Sequence, residues 1–92
     1  MMRIDGKAAL VTGSGRGIGL AIARGLSALG ARVMINDLDE QTAKAAAAEL
    51  STSYLAGSVT DPAFPQKLVD ATVQAFGTLD IIVNNAGYTW DN

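Results

Sequence analysis

Apolar positions along the chain follow two rhythms that alternate. KAALVT (residues 7–12), between Gly6 and Gly13, is short and almost wholly apolar, the pattern of a strand buried on both faces. From Ile18 the period changes: Ile18, Ile22, Leu26 and Leu29 stand at i, i+4, i+8 and i+11, one face of a helix, and Gly30 occupies the place of a C-terminal glycine stop. ARVMIND (31–37) predicts a second buried strand. The alanine-rich DEQTAKAAAAELS (39–51) predicts a second helix with Asp39 as N-cap. SYLAGSV (53–59) is a weaker third strand. TDPAFPQKLVDATVQAFG (60–77) predicts a third helix, with Asp61 as N-cap, Pro62 at the first helical position, Phe64, Leu68, Ala71 and Ala75 on one face, and Gly77 at its end. Pro65 falls at the end of the first turn or marks a slightly later start. LDIIVNNAG (79–87) gives a fourth strand that runs into a polar turn.

The order βαβαβαβ belongs to the α/β class and calls for a parallel sheet, right-handed crossovers and helices on both faces. It is the N-terminal half of a doubly wound, Rossmann-like sheet with strand order 3-2-1-4. No linker, low-complexity tract or repeat interrupts it, so residues 1–92 read as a single, incomplete domain.

Composition narrows the chemistry. The 92 residues are 49% hydrophobic and 17% charged, the balance of a globular chain. Net charge is −2, and the seven basic residues are scattered, which argues against nucleic acid or a polybasic membrane contact. The absence of cysteine and histidine removes disulfides, the usual zinc ligands and the commonest general base, so no metal is expected. The polar start MMRIDGK offers no secretory apolar core, and no apolar stretch approaches a membrane span; the expected location is the cytoplasm.

ALVTGSGRGIG (9–19) carries Gly13, Gly15, Gly17 and Gly19 between the first strand and the first helix. A turn of this kind aims backbone N–H groups and the positive end of the helix dipole at the mouth of the sheet, an environment that suits phosphate. Glycines remove the Cβ that would hold a pyrophosphate away. A tight turn without a ligand would use the same residues, but here strand, helix and a later acid occur together.

The spacing does not fit G-x-G-x-x-G: counted from Gly13 the last glycine's place holds Ile18, and counted from Gly15 it holds Leu20. It fits T-G-x-x-x-G-x-G, with Thr12, Gly13, Gly17 and Gly19. Together with NNAG (84–87) after the fourth strand, this resembles the short-chain dehydrogenase/reductase family, and GKAALVTG and DIIVNNAG look most like its 3-oxoacyl-carrier-protein reductase branch. The resemblance spans nearly the whole chain. It implies a nicotinamide dinucleotide held by Gly13, Ser14, Arg16, Gly17, Ile18 and Gly19 of the loop.

Asp37 ends the second strand, 18 residues after Gly19, where an acid accepts hydrogen bonds from both hydroxyls of an adenosine ribose and repels a 2′-phosphate. Arg16 pulls the other way, since members of the resembled family that use NADP often carry a basic residue there. Asp37 carries the greater weight, and NAD is expected over NADP. Ser58 and Val59 follow the third strand, where the family usually has an Asp-Val pair whose acid meets the adenine amino group; a neutral serine is a weaker acceptor, or simply a loop residue. NNAG lies at the carboxyl end of the fourth strand, beside the glycine loop. Asn84 or Asn85 could bond the cofactor ribose, with Ala86 and Gly87 letting the backbone pass close, or an asparagine could tie neighbouring strands together. Tyr88 and Trp90 read equally as substrate-side residues and as apolar cover.

The resembled family transfers hydride with a Tyr-x-x-x-Lys pair and an upstream serine. Tyr54 is followed four residues later by Ser58 and Tyr88 by Asn92, so no catalytic residue carries over. The fourth strand would also be an apolar edge, with one helix for a whole face of the sheet. The expectation is therefore the cofactor half of a longer, homo-oligomeric reductase acting on a carbonyl or alcohol, inactive by itself. Two other readings stay open. Gly13, Gly15 and Gly17 also spell the G-x-G-x-G of an S-adenosylmethionine-dependent methyl transferase, and the chain could be a non-catalytic nucleotide-binding module.

Overall fold

The apolar runs pair side by side in a computed structural model that describes residues 4–86. Strands β1 (Ala8–Val11), β2 (Arg32–Asp37), β3 (Tyr54–Ala56) and β4 (Ile81–Val83) form one parallel sheet in the order β3-β2-β1-β4. Helices α1 (Gly17–Ala28), α2 (Glu40–Leu50) and α3 (Phe64–Phe76) connect them. The register aligns Ala9 with Val33 and Ile81, Leu10 with Met34 and Ile82, and Val11 with Ile35 and Val83.

Successive side chains of a strand point to opposite faces, so each row of the register is committed to one side. Ala9, Val11, Val33 and Ile35 pack with Ala23 of α1 and Ala43, Ala46 and Ala47 of α2. These alanines let both helices lie close to the sheet. Leu10 and Met34 face the other way, onto Phe64 and Leu68 of α3. One helix thus serves that face. At the edge, Ile81 and Val83 are half-buried and Ile82 is 53% exposed.

The helices differ from their predicted faces in ways that packing explains. The buried residues of α1 are Gly19 and Ala23, flanked by half-buried Leu20, Ile22 and Leu26, while Ile18 and Leu29 point outward. Close approach to β1 selects the small side chains at the contact, turning the bulky ends of the predicted stripe away. Helix α3 begins at Phe64, not Pro62. The carboxylate of Asp61 accepts from the Ala63 amide at 3.0 Å and its carbonyl from the Phe64 amide at 3.0 Å, so Asp61 builds the preceding turn. The later start puts Pro65 in the first turn, where no intrahelical amide is lost. The buried face of α3 is Phe64, Leu68 and Thr72, with Ala71 half-buried against the same cluster and Ala75 exposed, and the Thr72 hydroxyl donates to the Leu68 carbonyl at 2.8 Å. Its hydroxyl needs no partner outside its own helix.

Asp39 caps α2 as predicted, accepting from the Gln41 amide at 3.0 Å. The chain leaves α1 through Gly30 and α3 through Gly77, both at positive φ. Among the described residues no helix is long and apolar enough to cross a membrane.

The N-terminal turn of α1 meets the end of β1 at Gly19, where an added Cβ would collide with the Gly13 carbonyl oxygen and stand 2.7 Å from Asn85 Nδ2. Gly19→Ala is expected to lower stability by about 1–3 kcal/mol despite alanine's better helix propensity, because the obstacle is backbone. Leu68→Ala, emptying the centre of the α3 contact, is expected to cost about 2–5 kcal/mol. Urea denaturation followed by circular dichroism checks both; an unchanged midpoint for Leu68→Ala would contradict the packing assigned to α3.

Candidate functional site

The carboxyl ends of β1, β2 and β3 are joined through one side chain. Asn36 is buried, and its Oδ1 accepts from the Gly13 amide at 3.2 Å while its Nδ2 donates to the carbonyls of Leu55 at 3.0 Å and Gly57 at 3.3 Å. The Asn36 amide donates to Ser14 Oγ at 3.0 Å, the Ser14 amide to the Asn36 carbonyl at 2.6 Å, and the Ser14 hydroxyl to the Val11 carbonyl at 2.7 Å. Ser14 is thus a structural residue of the loop, with its hydroxyl turned inward.

A second joint ties β1 to the turn after β4. Thr12 Oγ1 accepts from the amides of Asn85 at 2.9 Å and Ala86 at 3.0 Å, and Asn85 Nδ2 donates to the Gly13 carbonyl at 3.2 Å. Asn85 is therefore the asparagine that ties strands together, while Asn84 is exposed at the sheet's edge. Gly13 lies so close to this turn that a Cβ on it would stand 2.9 Å from the Ala86 Cβ.

Asp37 shares the strand parity of Val33 and Ile35, which brings its carboxylate to the side of the sheet where α1 begins. Oδ2 accepts from the Gly15 amide at 3.2 Å, and Oδ1 accepts from the Asp39 amide at 3.2 Å and from Arg16 Nη2 at 3.4 Å. The carboxylate side chain is 8% exposed and that of Arg16 66%. Arg16 Nη2 also lies 3.4 Å from Thr42 Oγ1 and 4.0 Å from Asp39 Oδ2, and the Thr42 hydroxyl donates to Asp39 Oδ2 at 3.1 Å. The Thr42 hydroxyl, then the Gln41 amide, hold the Asp39 carboxyl below its ordinary pKa.

Helix α1 starts without a side-chain cap: Arg16 occupies the cap position with no capping hydrogen bond, and no acid lies in the first turn. Helix α2 has both, in Asp39 and Glu40. The first amides of a helix have no carbonyl partner within it, so the amides at Gly17, Ile18 and Gly19 form a positive end. Gly17 has a φ of +59°, and a Cβ there would meet nothing within 4 Å, so its need for glycine is conformational and the space before it is open. The Ile18 side chain is 75% exposed.

Between this helix end and β3 lies a cleft of about 440 Å³ bordered by Gly13, Asp37, Leu38, Ser58, Val59 and Ala86. Its floor is the strand ends, and Leu38, 74% exposed, stands at its rim. The Ser58 hydroxyl is 2.6 Å from Thr60 Oγ1 and accepts from the Thr60 amide at 3.2 Å, so it shapes the turn it sits in. Gly87, Tyr88 and Trp90 lie outside the described residues.

The fold therefore brings Gly13, Ser14, Arg16, Gly17, Ile18, Gly19, Asp37, Ser58, Val59 and Ala86 to one end of the sheet, with Asn84 at its margin. Three residues of the same cluster have roles that the sequence does not show. Thr12 was seen only as part of a motif, although its hydroxyl is the joint to β4. Asn36, a polar residue at the end of an apolar run, is the signal that a buried amide was needed. Gly15, on which the methyl transferase reading stood, is explained otherwise: a Cβ there would stand 2.7 Å from Asp37 Oδ2 and 2.7 Å from Thr42 Cγ2.

Comparisons with known proteins agree with this arrangement. A family model described as short chain dehydrogenase matches residues 7–92. The chain is similar to the L-fucose dehydrogenase of Rattus norvegicus, 46% identical over 87 residues that cover 94% of this chain and 32% of that protein. It is also similar to the 3-oxoacyl-[acyl-carrier-protein] reductase FabG of Escherichia coli (strain K12), 45% identical over 93 residues covering 99% and 38%. A solved hydroxysteroid dehydrogenase from Escherichia coli superimposes with a TM-score of 0.83 at 35% identity, covering 94% of this chain and 39% of that one. The chain thus spans about a third of the length of the curated relatives it matches. These matches do not favour a methyl transferase, and with the glycine loop, the strand order and the Thr12–Asn85 joint they show that the chain belongs to the short-chain dehydrogenase family.

Proposed function

We propose that this chain is the NAD-binding part of a short-chain dehydrogenase that exchanges hydride between the nicotinamide and a carbonyl or alcohol substrate. The observation that carries the reading is the uncapped, positive N-terminus of α1 beside a cleft whose acceptor is Asp37. The residues present fit such a group: the open space before Gly17 admits phosphate oxygens to the helix amides, and the cleft has room for a nucleoside.

In this reading the amides of Gly17, Ile18 and Gly19 hold the pyrophosphate. Gly13 and Gly15 keep the loop against β2 and β4, and Asp37 accepts from the adenosine ribose hydroxyls after Arg16 gives way at Oδ1. Leu38 and Val59 flank the adenine, with Ser58 as its weak polar neighbour. Asn84, Ala86 and Gly87 border the nicotinamide side. Bound NAD supplies the hydride acceptor. A Tyr-x-x-x-Lys pair does not occur in the 92 residues, so this chain's share of the reaction is to bind and orient the cofactor.

NAD is expected to raise the melting temperature of the chain more than NADP does. Asp37→Ala is expected to weaken NAD binding about tenfold, the scale of losing hydrogen bonds to a charged acceptor, and to narrow the gap between the cofactors. Isothermal titration with each nucleotide checks both. Equal affinity of the unmodified chain for the two cofactors would refute the role given to Asp37. NADH formation from an alcohol by the chain alone would refute the division of labour.

A further inference from the structure

Arg16 is an exposed side chain with a built place to rest. Its Nη2 is shared between Asp37 Oδ1 and Thr42 Oγ1, 3.4 Å from each, and the Thr42 hydroxyl is itself fixed by donating to Asp39 Oδ2 at 3.1 Å. Because that hydroxyl spends its proton on Asp39, its lone pairs are turned outward as acceptors for the guanidinium. Asp39 lies 4.0 Å from Nη2 and adds a second negative charge behind Thr42. Asp39 is anchored in turn as the cap of α2. A relay therefore runs from the first turn of α2 to the guanidinium, and it holds the positive charge at the mouth of the Asp37 pocket.

Without such a dock a long arginine that is 66% exposed would spend most of its time in solvent, away from the pocket. The dock decides how negative the pocket looks to an arriving ligand. With Arg16 in place, the Asp37 carboxylate has a countercharge within hydrogen-bonding reach, and a 2′-phosphate meets a less negative site. With Arg16 adrift, the same phosphate meets an uncompensated carboxylate.

We propose that Thr42, oriented by Asp39, is a positioning residue that sets the cofactor preference by docking Arg16 beside Asp37, so that 2′-phosphorylated dinucleotide is tolerated. The proposal rests on the reading that the cleft takes an adenine dinucleotide. Thr42 does not border the cleft; it acts through Arg16. Its other contact, a methyl group near Gly15, is kept in valine, which separates the hydroxyl from the packing.

The test measures dissociation constants for NAD and NADP, by nuclear magnetic resonance titration of the 92-residue chain, in the unmodified protein and in Thr42→Val, Thr42→Ser, Arg16→Ala and the Thr42→Val/Arg16→Ala double variant. Thr42→Val is expected to raise the ratio of the NADP constant to the NAD constant about threefold, the scale of an exposed ion pair. Thr42→Ser is expected to keep the unmodified ratio, and Arg16→Ala to raise it at least as far as Thr42→Val. The double variant is expected to match Arg16→Ala. An unchanged ratio in Thr42→Val alongside a raised one in Arg16→Ala overturns the dock while leaving the cleft's assignment standing. A ratio that still rises when Thr42→Val is added to Arg16→Ala overturns it as well, since the effect would then pass through the α2 cap. Binding of neither nucleotide by the unmodified chain overturns the dinucleotide reading and this proposal together.

Discussion

The amide of Asn36 is the constraint on which the site depends. A parallel sheet whose strands end at a common rim leaves backbone amides and carbonyls there without ladder partners, and burying them unpaired would cost about 1–3 kcal/mol each. Asn36 has both an acceptor and a two-proton donor, and it uses them on the Gly13 amide and on the carbonyls of Leu55 and Gly57. Ser14 completes the exchange from the loop side. With these groups satisfied, the loop cannot slide along the sheet, and the amides at the start of α1 face outward from a fixed place.

The tight packing of the loop follows from this. Once the loop is held against β2 and the turn after β4, Gly13, Gly15 and Gly19 each face a neighbour closer than a side chain allows: Ala86, the Asp37 carboxylate and the Gly13 carbonyl. Gly17 differs, with open space before it. Three of the glycines serve the protein's own contacts, and the fourth serves the backbone conformation at the start of α1. The ion pairs have a correspondingly small part in holding the fold. Arg24 and Glu49 meet at 2.6 and 2.9 Å between α1 and α2, yet both are exposed, and such pairs contribute little.

The two faces of the sheet are unequally covered. Alanine-lined α1 and α2 close over one, whereas α3 covers part of the other and leaves Ile82 exposed on the edge strand. An apolar hollow of about 420 Å³ between α3 and β4, bordered by Leu10, Leu68, Val69, Ile82 and Asn84, continues from the carboxyl end of the strands. The cleft on the β2 side and this hollow on the β4 side share Val59, Thr60 and Ala86 as their boundary.

The sequence by itself determined the number and order of the elements, the parallel sheet and the place of the glycine loop. These follow from local rules: a buried strand must be apolar, a helix must repeat near 3.6 residues, and Asp39, Gly30 and Gly77 act on the residues next to them. Family membership was legible for a similar reason, since the spacing of Thr12, Gly13, Gly17 and Gly19 and the run at 84–87 are fixed along the chain. Tertiary structure decided what depends on partners distant in sequence. Ile18 and Leu29 leave the predicted face because β1 admits only Gly19 and Ala23 at close range, and Asp61 builds a turn before α3 rather than its cap. Asn36, Thr12 and Gly15 acquire their roles from neighbours roughly 20 to 70 residues away. Arg16 and Asp37 were each visible as charges, but their sharing of one hydrogen-bonded cluster with Thr42 and Asp39 was not, because no periodicity along a chain encodes which charges the ends of two strands bring face to face.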